Sequence, residues 1–336
     1  MRRTPLATGL AFALISALSF GMSGTLARGL MDIGWSAGAA TLIRVAIASA
    51  VLVVPGLLAL KGQWRVLRRA APTVIAYGVF AVAGAQLCYF LAVGYLDVGV
   101  ALLIEYTSPI AVVGWLWFRQ GAKPGRLTLL GAAIAAGGLV LLLNVVGGGS
   151  ISLIGVGWAL AAMVGAAVYF MISADDSTGL PPITLAAGGL VVALVVISVV
   201  AALGVLPIAI GTGTVEYAFF SAPWWAVALV LGVVTAAFAY VMGIAATRRL
   251  GARLGSFVAM LEVVAAASFA WVLLGQTMLP IQLGGAALVL AGVILVKLGE
   301  PKEVVPVEPA PVQPHDTVPS LVTDGSAESG VSVVAA

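Results

Sequence analysis

Ten apolar runs divide most of this chain, at roughly 6–28, 36–59, 72–94, 99–118, 127–145, 153–173, 183–207, 222–246, 253–274 and 281–298. Each is near the length, about 20 residues, that lets a helix cross a hydrocarbon core. In hydrocarbon a segment must satisfy its own backbone N–H and C=O groups, so such runs are helices. The pattern predicts an all-α integral membrane protein with ten transmembrane helices. Composition points the same way: 62% of residues are hydrophobic and 9% charged, against about 25% charged in a soluble domain. The first run follows Met1-Arg2-Arg3. It exceeds the 7–15-residue core typical of a signal peptide, so it is expected to be a retained helix.

The cations orient the runs. With the N-terminus inside, fourteen Lys and Arg residues fall in inner segments: Arg2, Arg3, Lys61, Arg65, Arg68, Arg69, Arg119, Lys123, Arg126, Arg248, Arg249, Arg253, Lys297 and Lys302. Only Arg28 falls outside, and Arg44 lies within the second run. By the positive-inside rule both termini are expected in the cytoplasm. This rule accounts for the net charge of +3, so no nucleic-acid partner is implied. Trp35, Trp64, Trp158, Trp224 and Trp225 fall near run ends, where aromatic belts form. Cys88 is the one cysteine and His315 the one histidine. They leave no disulfide and no Cys/His metal site, and no cofactor is expected. Cys88 reads as a buried small apolar residue.

The chain repeats itself at a shift of 154 residues, which carries Ala92 onto Ala246, Leu96 onto Leu250, Gly131 onto Gly285 and Gly138 onto Gly292. Residues 130–142, LGAAIAAGGLVLL, match 284–296, GGAALVLAGVILV. Two five-helix repeats follow, at 1–147 and 151–298, joined by the GGGS turn at 147–150. Five is odd, so the repeats are expected to be inverted in the membrane, with a site between them near its middle. Gly21, Gly24, Gly131, Gly138, Gly284, Gly285 and Gly292 are expected to pack helices closely. The run Ser19–Thr25 is polar enough to line a cavity. Residues 299–336, with six prolines and scattered acids, read as a disordered cytoplasmic tail.

Against this apolar background Glu105 stands out. Pro109 has no N–H to offer the Glu105 carbonyl, so a continuous helix would hold a carboxylate and a freed acceptor at one level. Both are costly in hydrocarbon unless something polar meets them. Arg44 and Glu105 lie at similar depths, about 12 and 9 Å below the outer boundary at 1.5 Å per residue. An ion pair is allowed, either as a lock between helices or as a substrate or proton site. Glu262, about 15 Å deep, is a candidate proton carrier or a hydrogen-bonding partner for another helix. Gln86 and Tyr89, three apart on one helix face, and Tyr240, which aligns with Gln86 in the repeat, are candidate substrate contacts or interhelical bridges. Trp115, Trp117 and Trp271 read as lipid-facing, and Arg248-Arg249 as an inner anchor. Asn144 is expected near the outer interface.

The two diverged halves and the string ALLIEYTSPIAVVGW at 101–115 resemble the EamA group of the drug/metabolite transporter superfamily. The likeness is nearest to exporters of threonine and homoserine type, whose Gly-Val-Ala, Glu-aromatic and Pro stretch is matched by Gly99, Val100, Ala101, Glu105, Tyr106 and Pro109. The second-half motif is partly kept as ATRRLGA at 246–252 and as Leu261-Glu262-Val263, with Val263 at the family's proline and Gln276 at its acid. The resemblance implies a ten-helix carrier of a bacterial inner (plasma) membrane that exports a small polar metabolite, most plausibly an amino acid. The expected mechanism is alternating access, with protons as candidate coupling ions and a monomer or homodimer as the assembly. An exporter of amphipathic drugs is the alternative within the superfamily, and a channel or membrane scaffold the alternative outside it. No Walker motif is present, His315 is stranded in the tail and no lysine is embedded deep in a run to activate a nucleophile, so an enzyme is not expected.

Overall fold

The computed structural model describes residues 5–93, 95, 101, 104–121, 124–142, 152–275 and 280–299. Gly99, Val100, Asn144, the GGGS turn, Gln276 and the tail with His315 lie outside them. We number the helices α1 (Pro5–Asp32), α2 (Ala37–Ala59), α3 (Trp64–Ala76, continued by Tyr77–Gly84 and Ala85–Val93), α4 (Ser108–Gln120) and α5 (Arg126–Leu142) in the first half. The second half has α6 (Leu153–Ala174), α7 (Pro182–Ala202), α8 (Trp224–Ala259), α9 (Leu261–Leu274) and α10 (Pro280–Gly299).

Six of these, α1, α2, α3, α6, α7 and α8, are long and apolar enough to cross a membrane, and α5, α9 and α10 contain shorter apolar stretches. The exterior is apolar: Phe118 and Leu153 are each 85% exposed, and Trp115, Trp117 and Trp271 also face outward. Strongly polar groups, by contrast, meet in the interior. This inside-out arrangement suits a lipid solvent.

The repeat is visible in the backbone. α3 and α8 each contain a π-helical stretch, Tyr77–Gly84 and Val233–Phe238, which overlap under the 154-residue shift. α4 and α9 both end at a left-handed glycine, Gly121 (φ 66°) and Gly275 (φ 67°), again equivalent positions. Only glycine adopts that backbone without a Cβ penalty. Packing follows the same logic. α5 lies against α10 and α2 against α7, while α1 packs on α8 and α9 as α6 packs on α3 and α4. Equivalent helices thus exchange partners between the halves.

Two sequence expectations are corrected at α4 and α9. The fourth run is interrupted by a turn at Tyr106-Thr107, with Pro109 in the first turn of the following helix. Proline is tolerated there because first-turn N–H groups lack helical partners anyway, so Pro109 does not sit four residues along an unbroken helix. The ninth run, expected as 253–274, is split by a turn at Met260, the equivalent of Tyr106. Its front part continues α8 beyond a break at Gly251 (φ 76°, ψ 165°). Glu262 consequently lies in the first turn of α9 rather than deep within one helix.

The link from α7 to α8 is not the helix end expected to 207. It is a 203–223 strap bearing a two-stranded antiparallel hairpin, Thr214–Glu216 with Ser221–Pro223 and Val215 opposite Ala222. Trp35 anchors this strap. Its indole donates to the Gly211 carbonyl at 2.7 Å and packs 5.7 Å from Trp224, so it is buried rather than part of an interfacial belt. Cys88 is partly rather than fully buried.

The α5–α10 seam depends on absent side chains. A Cβ at Gly138 would lie 2.6 Å from the Val289 nitrogen, and one at Gly292 2.6 Å from the Ala135 nitrogen. Backbone cannot yield as a side chain can. Gly24 and Gly284 have nothing within 4 Å and do not share this role. Gly138→Val and Gly292→Val should each destabilise the purified protein by about 1–3 kcal/mol, the usual range for overpacking. Gly24→Ala should leave its thermal unfolding unchanged.

Candidate functional site

A cavity of about 180 Å³ lies where the irregular backbone of the two halves converges. The π-helical stretches are the first contributors. A widened turn shifts carbonyls out of the regular i→i+4 ladder, and such turns are frequent at functional sites. On α8 the Thr235 carbonyl accepts a hydrogen bond from Arg44 Nη2 of α2 at 2.7 Å. The Arg44 guanidinium also sits 5.7 Å from the Phe20 ring centroid of α1. Its Nε is buried without a hydrogen-bond partner.

The helix breaks contribute the acids. Glu105 directly precedes the Tyr106-Thr107 turn, and Glu262 directly follows the Met260 turn by two residues. Both line the cavity with Arg44, and Gln86 and Tyr240 complete the polar set foreseen in the sequence. Gln86 and Tyr240 are equivalent under the repeat, and their side chains interact. Equivalent residues that touch must lie close to the axis relating the halves, which places the cavity on that axis.

The structure corrects the proposed Arg44–Glu105 ion pair. Arg28 pairs with Asp32 and Arg248 with Asp176, and no ion pair joins Arg44 to Glu105. Arg44 is instead electrostatically coupled to Glu262, Tyr240 and Tyr106, and Glu105 to Glu262. The reason is local: the α8 π-helical carbonyl draws the guanidinium toward the second half, where the split ninth run brings Glu262. Pro109 does not line this cavity but a crevice of about 20 Å³ beside α5. Tyr89 packs 5.7 Å from Phe90 and reaches Glu105 electrostatically without lining the cavity. Of the Ser19–Thr25 run, only Phe20 lines it.

Sequence reasoning missed Tyr169 and Phe170 of α6 and the buried Ser108 and Ser256 as lining residues. Tyr106 had entered only as a motif aromatic; its side chain interacts with Glu262. Its position next to Glu105 and opposite Met260 in the repeat was the available signal. Tyr169 offered none, since its repeat equivalent is the apolar Ile15.

One cation and two carboxylates therefore share one small, largely apolar enclosure reached from both halves. Comparison with known proteins gives this geometry a context: residues 7–144 and 153–298 each match the EamA-like transporter family. This chain belongs to the EamA-like transporter family. Membership makes it a multi-pass membrane transporter of drug/metabolite transporter type built from two repeats, in a family of transporters rather than enzymes. A solved structure described only as "Crystal structure of protein" is 21% identical, with a TM-score of 0.66, and the match covers 86% of this chain and 96% of that one. At that identity it shows the shared fold. A search among curated proteins found no match.

The coupling pattern of this EamA-like protein is testable by double-mutant cycles on thermal unfolding of purified protein. Arg44→Gln with Glu262→Gln should deviate from additivity by about 0.5–3 kcal/mol, as coupled neighbours do. Arg44→Gln with Glu105→Gln should deviate less.

Proposed function

We propose that this protein is a secondary exporter of small zwitterionic metabolites, most plausibly amino acids. It would work by alternating access of two inverted five-helix repeats (1–147 and 151–298) in a bacterial inner membrane. All ten helices cross the bilayer in this reading, α4, α5, α9 and α10 included, with both termini in the cytoplasm. The observation that carries it is the cavity's charge set. Arg44, with a buried and unpartnered Nε, shares the space with Glu105 and Glu262.

A substrate carboxylate on Arg44 and an ammonium on Glu105 would satisfy one charge of each sign. Glu262 would then carry a proton or share the ammonium, since one guanidinium cannot balance two carboxylates. A buried charge left unpaired is expensive, so a substrate lacking the carboxylate would strand Arg44. Size supports the same reading: about 180 Å³ is smaller than the 300–1,000 Å³ typical of drug-sized pockets. An amphipathic-drug exporter is thereby disfavoured. Arg44, Glu105, Gln86 and Tyr240 are the proposed substrate contacts, with Glu262 and Glu105 the proton-coupling groups. Tyr89 and Pro109 shape the Glu105 segment from outside the cavity.

Uptake of labelled L-amino acids into everted vesicles tests the proposal. Saturable uptake with trans-stimulation is expected, competed by other amino acids and not by amines lacking a carboxylate. Uptake without trans-stimulation would indicate a channel, and inhibition by the amines alone would indicate a cation exporter. Glu105→Gln should weaken substrate binding by about 1.5–3 kcal/mol, the range for a hydrogen bond to a charged group.

Glu262→Gln separates proton coupling from binding. Uptake driven by an imposed pH gradient should be lost in this variant, while amino-acid exchange across the membrane persists. Retained pH drive would assign Glu262 to structure.

A further inference from the structure

A second set of polar groups lies away from the cavity, at the end of α8 that carries Arg248. The Arg248 side chain is only 10% exposed. It donates to the Leu180 carbonyl at the start of α7 and pairs with the exposed Asp176 at 3.0 Å through the same Nη1. Its Nε and Nη2 are buried without hydrogen-bond partners. Tyr77 of α3 and Ser173 of α6 are both fully buried. Their hydroxyls face each other and find no other partner. Tyr77 and Arg248 are also within electrostatic reach of each other. The two guanidinium nitrogens, which can only donate, are therefore enclosed without a partner, an arrangement that native structures avoid unless it serves a purpose.

Two further observations give this cluster a direction. Ring contacts link it to the cavity: Tyr77 lies 5.8 Å from Tyr169, and Tyr169 lies 5.9 Å from Tyr240. It also sits where α6 packs on α8, while the equivalent helices α1 and α3 make no comparable contact. A contact that one half makes and the other lacks is the one that must break when two related halves exchange conformations.

We propose that Arg248, Tyr77 and Ser173 form a transient carboxylate-binding site on the cytoplasmic side. When α6 and α8 separate there, Arg248 would receive the substrate carboxylate in place of Asp176 before passing it along the tyrosines to Arg44. The planar fork of an arginine suits a carboxylate on its free Nε–Nη2 edge. Asp176 holds the guanidinium until a substrate arrives. This inference rests on the amino-acid reading of the central cavity.

The test uses a mixture of labelled L-amino acids on everted and right-side-out vesicles containing the full-length protein. Tyr77→Phe and Ser173→Ala barely change shape and keep the Arg248–Asp176 pair. Each should raise KM at the cytoplasmic face about fivefold, the equivalent of one hydrogen bond. Arg248→Gln should raise it about tenfold or more, and all three should leave KM at the outer face unchanged. Asp176→Asn frees Arg248 and should lower or preserve the cytoplasmic KM. Equal effects at both faces, or an Asp176→Asn phenotype matching Arg248→Gln, would overturn the site and leave a simple latch. Uptake by all variants at the wild-type KM overturns it as well. No uptake by the wild-type protein overturns the amino-acid reading, and this site with it.

Discussion

A backbone surrounded by lipid must pair its own N–H and C=O groups, and the architecture of this protein follows from where it does and does not. Most of the chain meets the demand as helix. Among the described residues the exceptions include two π-helical stretches and two broken helices, which occur at matching places in both halves, and a break at Gly251. The matched ones converge on one cavity. There the displaced Thr235 carbonyl is paired with Arg44, so a departure that would be costly in hydrocarbon becomes the anchor for a buried charge.

That single contact organises the electrostatics. Because Arg44 is held by α8, it faces the carboxylate of the second half and not the nearer-in-depth Glu105. Glu105 is left beside Glu262, so two carboxylates border the cavity with one guanidinium. The imbalance supports the proposed substrate site over a structural lock, since an ion pair satisfied on both sides would have no need of a ligand. Around this core the helices approach through glycine, most closely at α5–α10, where backbone meets backbone.

The halves are related but not identical, and their differences fall in the links and contacts at the two ends of the molecule. The first half joins α2 to α3 within four residues, Leu60–Gln63, whereas the second joins α7 to α8 through the 203–223 strap. The strap binds the α1–α2 turn through Trp35 and Ser36, and Ala218 donates to the Leu273 carbonyl at the end of α9 at 2.7 Å. One end of the molecule is thereby tied across both halves, while the other carries the Arg248, Asp176 and Leu180 contacts and a buried hydrogen bond from Thr184 to the Gly56 carbonyl. A single-sided strap and a single-sided charge cluster give an otherwise symmetric fold two distinct faces.

Much of this was legible in the residues. Run length and apolarity gave the helical class, the 154-residue shift gave the two repeats, and rarity in an apolar chain marked Arg44, Glu105 and Glu262. Each of these signals is local or periodic. Partnership is neither. Arg44 bonds a carbonyl 191 residues away, in a π-helical turn that no composition announces. The same holds for Trp35, whose partner is a loop carbonyl 176 residues on. Pro109 was read correctly as a helix disturbance but not as the start of a new helix, because a proline disfavours a continuous helix without saying on which side the chain will break. The sequence thus determined which groups had to be satisfied inside the membrane. Only the tertiary structure decided by whom, since packing between distant helices sets which acceptor lies nearest each buried donor.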